Sequence, residues 1–173
     1  MLEITKDNII KYSDRYDKGV AGSFDEYGEK ELKEWFRANR YLDREKFIRL
    51  GKWKSRRPIK HYESNGDNLI KDITNFSLST DNEEARIKIL FVLKGVSWPV
   101  ASTILHFAFP DKYPIMDFRA IWSLGWEQPK SYNYNFWKKY CDQMQSLSDR
   151  VGLPIRTIDK ALWQYSKENQ PRK

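Results

Sequence analysis

Helix-start and helix-stop residues punctuate this chain from end to end, and no run alternates apolar and polar residues long enough to make a strand. Thr5 is placed to cap a helix running towards Gly19. Ser23, with Glu26 three residues on, forms a capping-box pattern before YGEKELKEWFRANR, and Asp43 is placed to cap EKFIRLGKWK. Pro58 fits the first turn of a short helix ending near Asn65-Gly66, and Asp67 is placed to cap NLIKDITNF. Thr80 with Glu83 repeats the capping box ahead of EEARIKILFVL, where Ile87, Leu90, Phe91 and Lys94 share one helix face. Further helices are expected from Trp98-Pro99 to just before Pro110, from Asp117 through FRAIWSL to Gly125, and near 133–150 and 155–168. The tail after Glu168 is expected to be disordered. The fold class that follows is all-α, a helical bundle or barrel. With 173 residues, the whole span 1–173 is expected to form one domain with a substantial core. Seven Trp, ten Tyr and nine Phe supply much of that core.

Charge adds a location. Lys and Arg number 31 against 24 Asp and Glu, a net +7. Segment 44–60, REKFIRLGKWKSRRPIK, holds eight basic residues and one acid, so it accounts for the whole excess. A basic stretch on a neutral body suits a polyanion, because phosphate contacts release counterions. A solvated helix face is the ordinary alternative. The single Cys141 excludes an intramolecular disulfide framework and any all-cysteine zinc or iron–sulfur site. With only His61 and His106, no metal cluster is expected, and no cofactor is implied. No apolar run reaches the ~20 residues that cross a bilayer. The opening MLEITKDNII lacks a signal-peptide pattern, so a cytoplasmic location is expected.

The stretch 90–125, LFVLKGVSWPVASTILHFAFPDKYPIMDFRAIWSLG, carries the chemistry. A helix is expected to end at Leu93, Gly95 to take the positive φ of a tight reversal, and a second helix to start at Trp98-Pro99. The expected hairpin, centred on Gly95, Val96 and Ser97, leaves unpaired backbone N–H groups that suit a phosphate oxygen. Such contact reads backbone and no sequence. Val96, Val100, Ala101, Ile104 and Leu105 supply apolar packing, and small Ala101 and Ser102 permit close helix approach. As structure alone, a glycine turn between two helices is common.

Leu93, Gly95, Val96, Ala101 and Leu105, followed by Asp117 behind the apolar Ile115-Met116, form a pattern that resembles the helix-hairpin-helix DNA glycosylase superfamily, in its endonuclease III-like branch. The resemblance implies a glycosylase-like helical fold, with the hairpin element at about 81–109 and a catalytic loop and helix at 110–125. It also implies Asp117 as the catalytic aspartate and double-stranded DNA as the partner. A carboxylate there would stabilise the positive charge that builds on a sugar as its N-glycosidic bond breaks. The commoner role of such a residue is the N-cap of the next helix, and the two roles are compatible. Three positions depart from the family pattern. Ser97 replaces the second hairpin glycine, Phe118-Arg119 replaces the family's Thr-His, and Pro99 stands where bifunctional members carry a Schiff-base lysine. Proline has no amine, so the resemblance implies a monofunctional glycosylase.

Around this centre, Lys54, Arg56, Arg57 and Lys60 flank Trp53 and are candidate DNA contacts, as are Trp98 and Arg119. Arg119 can hold a phosphate or pair with an acid. Trp98 and Trp122 can line a base pocket or fill the core, and Tyr113 is the candidate expected to be most exposed. Three functions stay open at this point: a glycosylase that excises a damaged or mispaired base from a flipped nucleotide, a non-catalytic helix-hairpin-helix DNA-binding module, and a protein-interaction domain that uses the basic segment.

Overall fold

The computed structural model describes residues 1–171, and all regular structure among them is helical. The expected strandless, all-α fold is what forms. The chain divides into two compact units. One is an inserted segment, Gly22–Phe109; the other joins Met1–Ala21 to the chain from Pro110 onward.

The inserted unit contains α2 (Phe24–Ala38), α3 (Arg44–Lys54), α4 (Ile59–Glu63), α5 (Asp67–Ser79), α6 (Glu83–Lys88), a 3-10 turn (Ile89–Val92) and α7 (Trp98–Ala108). Asp43 caps α3 as expected, its carboxylate accepting from the Lys46 amide at 2.7 Å. Ser23 accepts from the Glu26 amide, while the Glu26 carboxylate reaches back to the Gly22 amide, one residue before the expected one. Two expected caps are displaced. Gly66 takes the cap of α5 and leaves Asp67 as its first residue. Thr80 closes α5, while Asn82 caps α6 by accepting from the Ala85 amide.

The expected single helix through Leu93 is also broken. Ile87, Leu90 and Leu93 are the buried positions, a spacing of three that suits a 3-10 turn better than 3.6-residue periodicity. Lys94 is exposed and does not belong to that face. Arg86, itself buried, donates to the carbonyls of Ser77 and Thr80, so it satisfies the open end of α5. Helix α7 buries every residue from Val100 to Phe107, which matches the apolar run read from sequence.

The terminal unit contains α1 (Lys6–Val20), α8 (Phe118–Ser123), α9 (Tyr134–Val151) and α10 (Ile155–Asn169). Thr5 caps α1, accepting from the Asn8 amide at 3.2 Å, and Asn133 caps α9. Helix α10 packs against α1, α8 and α9, burying Ile155, Ile158, Ala161 and Leu162. The N-terminal strand of chain is tied in as well: the Leu2 amide donates to the Ser123 carbonyl at 2.8 Å. Asn169 lies within α10 rather than in a disordered tail, and residues 172–173 of that expected tail lie outside the described ones. Among the described residues no helix is long and apolar enough to cross a membrane.

Candidate functional site

The hairpin forms where the sequence places it. Leu93 leaves the 3-10 turn extended, Gly95 has φ of 88°, and Ser97 is the N-cap of α7 with Pro99 in its first turn. The Val96 amide donates to the Leu93 carbonyl at 3.1 Å, which closes the reversal. The amides of Gly95 and Ser97 find no acceptor among the described residues, and Ser97 is exposed. These are the unspent donors expected of such a turn. The Ser97 hydroxyl caps nothing, so the serine acts here through its main chain. Val96 is half-buried, and Trp98 is half-buried with its ring against Phe91 at 4.8 Å between centroids.

Glycine at 95 is required twice over. Its φ is one that side chains avoid, and a Cβ there would lie 2.8 Å from Tyr62 Cδ1. A Cβ on Gly51 would meet the same ring at 2.6 Å, so Tyr62 sits between two bare backbones. Burial pushes the Tyr62 hydroxyl up to about 12, and its oxygen has no hydrogen-bond partner. Asn65 completes the clasp. Its side-chain oxygen accepts from the Lys94 amide at 2.8 Å while its nitrogen donates to the Lys94 carbonyl at 3.0 Å. The same nitrogen reaches the His61 and Tyr62 carbonyls. Sequence reasoning read Asn65 only as a helix end; nothing local signals a pairing 29 residues along the chain.

The basic run splits in two. Arg44 pairs with Asp67, Lys46 and Arg49 with Glu31, and Lys52 with Glu63. The hydrogen bond to Glu31 holds the Lys46 ammonium above its usual range. Lys54, Arg56, Arg57 and Lys60 gather between the end of α3 and the start of α4, with Arg56, Arg57 and Lys60 exposed. Trp53, which these residues flank, packs edge-on to Phe107 at 5.4 Å.

Asp117 belongs to the terminal unit and is the N-cap of α8, one carboxylate oxygen accepting from the Arg119 amide at 2.9 Å. As a residue it is half-buried. Its negative charge, after burial, helps hold the Tyr132 hydroxyl above its usual range. The loop before it is anchored from α10. Asp159, 4% exposed, accepts from the Ile115 amide at 2.9 Å and from the Tyr140 hydroxyl at 3.4 Å. Burial, then the charge of Asp159, raises Tyr140 well above the phenol range. Asp159 was not among the expected residues, because IRTIDKALWQ reads as an ordinary amphipathic helix.

One expectation changes here, and two residues left with alternative roles are placed. Tyr113 is 2% exposed and stacked on Trp137 at 5.6 Å, so it is not an exposed aromatic. The loop before Asp117 turns inward, with Tyr113 through Met116 all buried. Trp122 stacks on Tyr165 at 5.9 Å, and its ring serves the contact of α8 with α10. Arg119 lies over the rings of Phe118 and Trp163 rather than against an acid. Phe118 beside it is 50% exposed.

The fold is similar to that of an archaeal DNA glycosylase. The similar structure is the Methanocaldococcus jannaschii 8-oxoguanine glycosylase/lyase in complex with a 15mer DNA containing 8-oxoguanine. It is 18% identical, with a TM-score of 0.50, over 96% of this chain and 93% of that one. No known family model and no curated protein sequence matches this chain. At this identity the likeness speaks for the helical fold alone. Among the described residues no three His, Cys, Asp or Glu side chains converge as a metal site.

Proposed function

We propose that this chain binds duplex DNA through the Gly95 hairpin and acts as a monofunctional DNA glycosylase through Asp117. The observation that carries the reading is the hairpin itself: a positive-φ glycine, two amides without acceptors, and an exposed Ser97 at the start of α7. Those donors suit a phosphodiester, and the similar archaeal structure is of a glycosylase holding DNA. In this reading Asp117 would offer its carboxylate to the sugar of a flipped nucleotide. Water adds to C1′ as the C1′–N bond breaks; the base leaves with the bonding electrons and takes a proton from solvent. Asp117 offsets the charge building on the sugar and accepts the proton of the attacking water, later returning it to solvent. Pro99 offers no amine for attack on C1′, so the lyase half of the archaeal protein's chemistry is not carried to this chain.

A second reading has its own support. Tyr113, the aromatic expected to be most exposed, and Trp122, a candidate for the base pocket, are both packed within the terminal unit, which favours a DNA-binding module without chemistry. One experiment separates the two. Duplexes with varied lesions are incubated with the protein and scored for alkali-labile sites. The enzyme reading expects abasic sites from the wild type and none from Asp117→Asn, with duplex affinity largely kept. Base release that survives Asp117→Asn removes Asp117 from the mechanism. Binding without release on any duplex supports the module.

A further inference from the structure

Within the basic run 44–60 and the hairpin, pairing with carboxylates separates two sets of cations. Arg44, Lys46, Arg49 and Lys52 are matched to carboxylates, whereas Arg57, Lys60 and Lys94 have no carboxylate partner among the described residues. All three are exposed. Lys94 lies in the hairpin, Lys60 in α4, and the structure joins these two elements firmly. Asn65 holds both polar groups of the Lys94 main chain while also bonding the His61 and Tyr62 carbonyls of α4. A Cβ on Gly95 would come within 3.1 Å of the His61 Cβ, so the exposed His61 begins at the hairpin's surface. Buried Tyr62 lies under the same glycine and prevents α4 from sliding over it.

We propose that Lys60, His61 and Lys94 form a second backbone contact for duplex DNA, gripping a phosphate beside the one assigned to the hairpin amides. The inference rests on the DNA-binding reading above and adds three residues to it. A lysine free of ion pairs keeps its charge for counterion release, while one held by a carboxylate must first give up that partner. Two lysines and an imidazole carried on α4 and the hairpin offer charge and N–H donors, which suits phosphate oxygens. The brace matters because the donors are then positioned before binding and less ordering is lost.

The test is fluorescence anisotropy with a short unmodified duplex across a salt series, on the full chain. Lys60→Ala and Lys94→Ala are each expected to lower affinity several-fold at low salt. Each should also reduce the slope of log K against log salt by about 1, and the double variant by about 2. Lys33→Ala, which removes a lysine paired to Glu29, is the charge control and should leave the slope unchanged. Circular dichroism melts establish that all variants fold. Wild-type slopes in both hairpin-side variants, or an equal fall in Lys33→Ala, overturn the inference while leaving DNA binding intact. Absence of duplex binding by the wild type overturns the inference and the reading beneath it together. Equal affinity for a poly-glutamate peptide overturns duplex DNA as the partner.

Discussion

Asp117 closes the first turn of α8 with the same carboxylate that the proposed chemistry requires. The two roles separate by substitution, because Asn caps helices about as well as Asp while Ala does not. Asp117→Asn is therefore expected to change unfolding free energy by less than about 0.5 kcal/mol, and Asp117→Ala to cost about 1 kcal/mol. Urea denaturation of the three proteins measures this directly. An Asn variant as unstable as the Ala variant would show that the negative charge itself is structural, and loss of activity in it would no longer report on catalysis. The cap at 117 was legible in sequence because it is local: an aspartate directly before an apolar helix. Asp159 was not legible. Its partners, Ile115 and Tyr140, lie 44 and 19 residues away, and only the folded terminal unit brings them to it. Tyr113 misled for the opposite reason. It lies in an irregular loop, where exposure is the usual state, yet it is buried and stacked on Trp137.

The hairpin element shows which parts of a turn sequence announces. Gly95 and Pro99 are local punctuation, and both stand where the reversal and the start of α7 were expected. The 3-10 turn before them was not expected, since helical spacing over EEARIKILFVL fits an α-helix, and only the buried triplet Ile87, Leu90 and Leu93 reveals the tighter winding. Likewise Thr80 reads as the cap of the helix that follows it, yet α5 runs up to Thr80 and Asn82 takes the cap of α6 instead. Rigidity of the hairpin can be measured at Gly95. Alanine there combines a left-handed φ, costing about 1–3 kcal/mol, with a Cβ driven into Tyr62, costing about 1–3 kcal/mol more. Gly95→Ala should thus destabilise the protein by at least about 2 kcal/mol, read as a fall in the urea midpoint at constant slope. A loss below about 0.5 kcal/mol would mean that the turn relaxes freely. The brace on which the second phosphate contact depends would then be absent.

Across the whole molecule, each unit buries a phenol that ionises with difficulty: Tyr62 in the inserted unit and Tyr140 in the terminal one. Both fold-state shifts are upward, so the native chain keeps protons that the unfolded chain releases near pH 10. Stability from these groups is fully present below pH 10 and falls as pH climbs through the folded values. The Lys46–Glu31 pair adds in the same direction, because its raised ammonium loses its charge over the same alkaline range. Urea unfolding measured from pH 9 to pH 12 should therefore show a steady decline. For Tyr62, a shift from 10 to about 12 is worth about 2 kcal/mol by pH 12. Tyr62→Phe isolates that share. It keeps the ring against Gly51 and Gly95 and removes only a hydroxyl that has no partner, so neutral-pH stability should hold or rise. Its alkaline decline should be shallower than that of the wild type by about 2 kcal/mol. Parallel declines in the two proteins would mean that the Tyr62 hydroxyl reaches water in the native state, and that α4 and the hairpin are not clamped together.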